Sequence, residues 1–312
     1  MRELLIAALL PVLFWTAGIE TAPQLRAAGI KQIAVPPEQL GAWQSAGFQA
    51  EAMTQPQLES LRKLLPPGLA PRTRDASPTR APWVDANGWR LARWPKERFY
   101  YTLPRGRAAL AAAEVFAWNA NAVMTMDPGD LEPFGQMLGF LGRMESRDLA
   151  PVADFGVIDD GTPLIEEVMN LLNRRNLLFR PLQTAAPQFR MNIRLGTKLW
   201  PKTAAEDPSA FALKVRRQLG DEQRSLRLYG SEVVIARLLT NGRQARVILL
   251  NYSGRTHEGL RVRVRGQFGR GTVAADRVEA QELQDFITEA GTVEFTIPKM
   301  QTVAVVDLLA GK

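Results

Sequence analysis

Glu232-Val233-Val234-Ile235-Ala236-Arg237-Leu238-Leu239-Thr240-Asn241-Gly242-Arg243-Gln244-Ala245-Arg246-Val247-Ile248-Leu249-Leu250-Asn251-Tyr252 is the stretch that decides the fold. Two β-branched and aliphatic runs flank Asn241-Gly242, the pair best suited to the positive φ angles of a two-residue hairpin turn. The same period continues downstream. Leu260, Val262 and Val264 alternate with Arg261, Arg263 and Arg265, and Val293, Phe295 and Ile297 alternate with polar residues before a last run, Thr302 to Leu309. An apolar residue at every second position predicts half-buried strands, so residues 226–312 are expected to form an antiparallel β domain, a sandwich.

Upstream the period is different. From 11 to 185 extended runs alternate with helical ones: Pro11 to Thr16, Gln32 to Val35, Phe48 to Met53, Arg98 to Leu103, Ala122 to Met126, Val152 to Ile158 and Leu177 to Leu182 read as strands. Thr21-Ala22-Pro23-Gln24 and Thr54-Gln55-Pro56-Gln57 have the spacing of capping boxes, the second leading into Leu58, Leu61, Leu64 and Leu65 at helical spacing. Short helical signals cover Glu38 to Ala46; longer ones cover Ala108 to Trp118, Leu131 to Met144 and the stretch after Thr162-Pro163. Such alternation predicts a parallel sheet. Residues 186–225 read as a connecting segment with one helix, Pro208 to Leu219, and residues 1–10 as an apolar leader.

The chain of 312 residues has 46% apolar and 23% charged residues, the balance of a folded globular protein, and no apolar run long enough for a transmembrane span. With no Cys and one His, thiolate chemistry, disulfides and multi-histidine metal sites are excluded. No cofactor and no transition metal is therefore expected, although carboxylate oxygens alone can hold Ca²⁺. The net charge of +7 comes from dispersed residues, most of the 39 basic ones being Arg, and no nucleic-acid footprint is read from it. The N-terminus supports two readings. Met1-Arg2 with Leu4 to Trp15 and Thr16-Ala17-Gly18 has the layout of a secretory signal, which implies export to the periplasm or beyond. The rival is that Pro11 to Thr16 is a buried first strand, and both can hold in part, an apolar leader Met1 to Leu10 running into a strand that stays. A cytoplasmic location is the alternative to export.

Acid–base chemistry would have to come from carboxylates. In a β/α layout the ligand site lies at the carboxyl ends of the parallel strands, where Glu20, Asp85, Asp127, Asp159 and Asp160 fall. Asp85 with Asp159 or Asp160 is the candidate acid and base, since a pair of carboxyls is the minimum for glycosidic cleavage. Trp83-Val84-Asp85-Ala86-Asn87-Gly88-Trp89 sets a carboxylate and an amide between two indoles. Trp83, Trp89 and Tyr100 are candidates to stack on a sugar ring, and Asn87, Glu20 and Asp127 to hydrogen-bond its hydroxyls. A bland account covers the same residues: indoles in the core, acids capping turns. Asp159-Asp160-Gly161-Thr162 resembles a haloacid-dehalogenase phosphatase signature, but the nucleophile position is Ile158, which removes the nucleophile. The Arg261, Arg263, Arg265 stripe reads either as a grip for an acidic polymer or as the charged outer face of a strand.

The strand-end acids, the tryptophan-rich Trp83 to Trp94, and Glu294-Phe295-Thr296-Ile297-Pro298 with Val303-Ala304-Val305-Val306-Asp307-Leu308 together resemble a bacterial glycoside-hydrolase-type chain. Asp154 to Leu182 is similar to the amidotransferase-like βαβ unit of some β-galactosidases. The resemblance implies a β/α barrel followed by a C-terminal antiparallel β-sandwich, and a carbohydrate ligand. Roughly 185 residues is short of the roughly 250 of eight strand–helix units, so the implied barrel is an incomplete or degenerate one. Three functions follow as expectations: glycan binding with hydrolysis, glycan or envelope binding without it, or a structural assembly role.

Overall fold

A computed structural model describes residues 10–70 and 83–311. Residues 1–9, most of the apolar leader, together with residues 71–82 and 312, lie outside the described residues. The chain splits into two compact units, one of residues 1–68 and 94–147, the other of residues 69–93 and 148–312.

In the first unit β1 (Val12–Phe14), β2 (Gln32–Val35), β3 (Gln49–Ala52), β4 (Arg62–Leu64), β5 (Arg98–Leu103) and β6 (Asn121–Met126) form a six-stranded sheet in the order β3-β2-β1-β6-β5-β4. All its pairings are parallel. Sequence neighbours are sheet neighbours with one addition: the first strand pairs with the last, Val12 opposite Val123 and Leu13 opposite Met124. That is the cyclic order of a β/α barrel, not the 3-2-1-4-5-6 of a doubly wound sheet. The sheet does not close, however, because β3 and β4 are its two edges. Among the described residues the sheet is therefore open, and the expected barrel, an incomplete or degenerate one, is not confirmed as a closed one. The open sheet is curled. Four inter-strand steps separate β3 from β5, about 19 Å if flat, yet the Arg98 guanidinium on β5 is ion-paired with Glu51 on β3.

The inner face carries Phe14, Ala34, Met53, Tyr100 and Val123, covered by Leu58 and Leu61. Residues of opposite parity, Leu13, Ile33, Phe99, Tyr101 and Met124, are buried as well. Helix Ala108–Ala117 is tied to β5 where the Tyr101 hydroxyl donates to Glu114 at 2.9 Å. Asp130, 3% exposed, accepts from the backbone N–H of Gly106 (2.8 Å), Arg107 (3.2 Å) and Ala108 (3.3 Å) and so caps that helix. Helix Leu131–Leu141 approaches the end of helix Ala22–Ala27 so closely that a Cβ at Gly135 would lie 1.6 Å from the Ala28 carbonyl oxygen.

The second capping box forms in full: Thr54 Oγ1 accepts from Gln57 N–H at 3.3 Å, and Thr54 N–H donates to Gln57 Oε1 at 2.8 Å. The first does not. Thr21 Oγ1 instead accepts from Trp15 Nε1 at 2.8 Å and donates to the Gly18 carbonyl at 2.7 Å, fastening the β1 loop. Helix Gln55–Ser60 also stops earlier than its leucines predict. Arg62, Lys63 and Leu64 pair with Phe99, Tyr100 and Tyr101, and sheet pairing overrides the weak helical preference of the segment.

The second unit holds a small parallel sheet of β7 (Phe155–Ile158), β8 (Phe179–Leu182) and β9 (Asn192–Ile193), in the order β8-β7-β9. Helix Pro163–Arg174 makes the crossover from β7 to β8, capped by Thr162 Oγ1 accepting from Ile165 N–H at 3.4 Å. With helix Pro208–Leu219 it encloses a core of Phe155, Val157, Ile165, Met169, Trp200 and Phe211. The sequence-based βαβ expectation matches this layer.

The rest of the unit is antiparallel: β10 (Leu226–Tyr229), β11 (Val234–Thr240), β12 (Gln244–Asn251), β13 (His257–Arg265), β14 (Phe268–Ala275), β15 (Gln284–Glu289), β16 (Thr292–Met300) and β17 (Val303–Ala310). One sheet runs β10-β13-β16-β15 and the other β14-β17-β12-β11, extended by Ala150–Pro151. Leu260, Val262, Val264 and Phe295 of the first share a core with Val247, Leu249 and Val306 of the second, which makes the pair a sandwich. A hairpin forms at Asn241-Gly242, but not with the two-residue turn read from sequence. Thr240 pairs with Ala245, so Asn241 to Gln244 make the connection; Gly242 alone of the pair has a positive φ (85°), and Asn241 Oδ1 accepts from the N–H of Arg243 and Gln244.

Two acids tie down the approach to β10. Asp154 accepts from Ser225 N–H at 3.1 Å and Ser225 Oγ at 2.5 Å, and its burial raises its pKa although those bonds oppose the shift. Asp221 accepts from Arg216 at 2.7 Å, and that bond first, with help from Arg224, holds its carboxyl at about 2 instead of the usual 3.8. A depressed carboxyl pKa stabilises the fold above the unfolded value, and the contribution is lost as pH falls from about 4 toward 2. The Asp221 side chain is 36% exposed, so solvent screening limits the effect to roughly 1 kcal/mol. Urea midpoints at pH 6 and pH 3 are expected to differ less in Asp221→Asn than in the wild type.

Candidate functional site

The tryptophan segment belongs to the second unit. Trp83–Asp85 is a short strand paired with Gly68–Ala70, but helix Gly88–Arg93 follows where the sequence reads as extended structure. Trp83 Nε1 donates to Asp85 Oδ1 at 3.0 Å, and the Arg174 guanidinium lies over the Trp83 ring at 3.9 Å. Trp89 is 2% exposed and packs in the core with Phe155 and Ile165, while Asn87 is fully buried. Trp89 thus serves the core, and one face of Trp83 is already occupied by a cation.

Asp159 and Asp160 leave the carboxyl end of β7, as read from sequence. The structure adds Arg93, from the last turn of helix Gly88–Arg93. Its guanidinium forks onto Asp159 at 2.5 and 2.8 Å and reaches Glu166 at 2.5 Å. The Arg93 and Asp159 side chains are 6% and 7% exposed. Burial alone would lower the Arg93 pKa, but the bonds to Asp159 and Glu166 outweigh it and raise the value. Asp160 accepts from Thr162 N–H at 3.0 Å and Thr162 Oγ1 at 2.6 Å. Desolvation pushes its pKa up, yet the Thr162 bonds and the Lys202 charge together bring it below the ordinary value. A general acid needs the opposite shift. Arg93 carried no signal in the sequence, because the helix that presents it was not expected and its partner lies 66 residues away.

Glu20, Asp127 and Tyr100 belong to the first unit. β1 and β6 are adjacent and parallel, so the Glu20 loop and Asp127 emerge from the same edge of the sheet. Asp127 Oδ1 accepts from Gly129 N–H at 2.8 Å, Glu20 is exposed, and the Tyr100 hydroxyl lies 3.1 Å from Thr125 Oγ1 on the inner face. Directly after Asp127 opens a cavity of about 420 Å³, lined by Gln24, Ala27, Pro128, Gly129, Glu132 and Gln136 among others. Gln136 Nε2 donates to Glu132 Oε1 at 3.1 Å. Two side-chain amides and a carboxylate in one hollow can exchange hydrogen bonds with a polyol. Sequence reasoning missed Gln24, Glu132 and Gln136, since polar residues on a helix are by default its solvated face.

The arginine stripe is occupied by its own neighbours. Arg261 contacts Glu294 at 2.9 and 2.6 Å, Arg263 contacts Glu222 at 2.6 Å, and Arg265 donates to the Gln223 carbonyl at 3.3 Å. Among the described residues no helix is long and apolar enough to cross a membrane, and no group of three or more His, Asp or Glu is placed to hold a metal ion.

No family model matches the chain, and no curated protein does either. Solved structures do. An α-L-fucosidase isoenzyme from Paenibacillus thiaminolyticus superposes with a TM-score of 0.54 at 11% identity, over 72% of this chain and 62% of that one. The architecture thus resembles, at the level of the fold, that of a glycoside hydrolase. A β-galactosidase from Rahnella sp. R3 (TM-score 0.38, 8% identity, 80% of this chain and 55% of that one) and an α-amylase from Anoxybacillus (TM-score 0.28, 8% identity, 97% and 98%) overlap too loosely to bear on the fold. This chain spans about three fifths of the length of the fucosidase, and at 11% identity the likeness concerns the fold alone.

Proposed function

We propose that this chain is an exported glycan-binding protein on a hydrolase-type scaffold, and that it takes its ligand without cleaving it. The carrying observation is the cavity of about 420 Å³ between helix Ala22–Ala27 and helix Leu131–Leu141, its lining on that side beginning at Pro128, directly after Asp127 at the carboxyl end of β6. Its volume lies in the range of small-molecule sites, roughly 300–1,000 Å³. Gln24, Glu132 and Gln136 offer donors and acceptors to hydroxyls, and Ala27 and Pro128 an apolar floor.

Binding is favoured over hydrolysis because the nominated acids are otherwise committed. Asp85 accepts from Trp83, Asp159 is held by Arg93, and Asp160 is bonded to Thr162 with its pKa lowered, desolvation being outweighed by those bonds and by Lys202. Calorimetric titration with neutral oligosaccharides tests the reading. Glu132→Ala and Gln24→Ala should each weaken binding, Glu132→Ala by about 10-fold or more, the weight of one hydrogen bond to a charged group. Turnover that vanishes in Asp127→Asn or Glu20→Gln would restore the hydrolase. Export is checked by fractionating cells that express the full chain and looking for the protein outside the cytoplasm.

A further inference from the structure

A second cavity, of about 340 Å³, lies wholly in the second unit, where the end of helix Pro163–Arg174, the start of helix Pro208–Leu219 and β10 meet. Five guanidinium groups line it, those of Arg174, Arg175, Arg216, Arg224 and Arg227, against the single acid Glu232. We propose that this cavity binds an acidic saccharide, the carboxylate or sulfate of the sugar seated among the arginines.

Cations so close repel one another unless carboxylates intervene. Asp221 serves Arg216 and Arg224, Glu222 serves Arg227 at 3.0 Å, and Glu232 stands 3.8 Å from Arg175. Arg174 makes no hydrogen bond to any described residue; it lies on the Trp83 ring, with Glu167 and Asp85 near enough to act only through their charge. Burial, and then Arg175, lowers the Arg174 pKa; burial lowers that of Arg224 as well, despite Asp221. An anion in the cavity would relieve both.

Three buried donors at this place have no partner among the described residues: Arg174 Nε, Arg224 Nε and Ser209 Oγ. Arg224 is 7% exposed, so its guanidinium is a fixed part of the floor. Planar guanidinium forks match the paired oxygens of carboxylate and sulfate. Ser209 Oγ is suited to a hydroxyl, and Tyr229 with Leu213, 44% exposed, supplies an apolar wall for a ring face. The volume again lies within the roughly 300–1,000 Å³ of small-ligand sites. This site is separate in residues from the cavity beside Asp127, and either can fail without the other.

Calorimetry on the full chain with trigalacturonate, maltotriose and sodium sulfate tests the proposal. Trigalacturonate should bind measurably, at least tenfold tighter than sulfate alone, and Arg175→Glu should weaken it at least tenfold. Ser209→Ala, which leaves every charge in place, should weaken it about threefold or more. Arg261→Glu changes net charge equally on an exposed strand face and should leave binding within twofold. Sulfate binding as tightly as the trisaccharide would reduce the site to a simple anion pocket. Equal losses in Arg175→Glu and Arg261→Glu would mean non-specific attraction. Either outcome, or no trigalacturonate binding at all, overturns the proposal.

Discussion

Arg93→Leu is expected to destabilise the second unit by about 3–5 kcal/mol, the usual cost of removing one member of a buried ion pair. The loss is large because Asp159, 7% exposed at its side chain, would be left with only the Gly161 N–H at 3.0 Å among its described hydrogen-bond partners. Packing adds to it: Arg93 joins helix Gly88–Arg93 to the β7 end and to Glu166 on helix Pro163–Arg174 at once. Urea denaturation of wild type, Arg93→Leu and the double variant Arg93→Leu with Asp159→Leu measures it. The double variant should recover a good part of the loss, since no orphan charge remains. A single-variant loss under about 1 kcal/mol would show that Asp159 reaches solvent easily, and would return it to the candidate acids. Asp159→Asn should accordingly lower stability and leave glycan binding per folded molecule unchanged.

The first unit has its own sensitive point at Gly135. A methyl group there would sit 1.6 Å from the Ala28 carbonyl oxygen, which is backbone and cannot rotate away. Gly135→Ala would gain helix propensity, about 1 kcal/mol, but the helices must separate to admit the Cβ. Overpacking of a well-filled contact costs about 1–3 kcal/mol, and the upper end applies here because backbone has to move. We expect a net loss of about 2 kcal/mol, seen as a lowered Tm. Gly139→Ala on the same helix meets only Arg143 at 4.0 Å and should be neutral or stabilising. Equal melting of the two variants would contradict the close approach.

Features encoded by local chemistry were legible in the sequence. Asn241-Gly242 marks the place of a hairpin, although only Gly242 takes the positive φ and the connection is longer than two residues. The alternation around Leu260 and Phe295 marks a sheet with one buried face, and Thr162-Pro163 starts a helix that needs no distant partner. Features set by distant partners were not. Leu64 reads as helical until Tyr101 pairs with it; Thr21 reads as a cap until Trp15 takes its hydroxyl. Trp83 and Trp89 have the composition of a sugar platform, but their surroundings come from Arg174 and Phe155, dozens of residues away. The strand alternation up to 185 likewise gave no hint that residues 69–93 group with the C-terminal part of the chain. Of the sheet, strand alternation indicated parallel strands and the resemblance implied an incomplete or degenerate barrel, but nothing in the residues located the break between β3 and β4.

The pairing of β1 with β6 has a consequence for biosynthesis. β1 is a central strand, yet Val12 and Leu13 find half of their hydrogen-bonding partners in Val123 and Met124, more than a hundred positions later. A ribosome adding roughly 5–20 residues per second delivers β6 several seconds after β1. Through that interval the β1–β2–β3 ladder has its future centre as an exposed edge, open to unwanted strand addition. The nascent first unit is therefore a natural client for a chaperone, and slowing translation between residues 64 and 121 should lower its soluble yield more than slowing it anywhere in the sandwich.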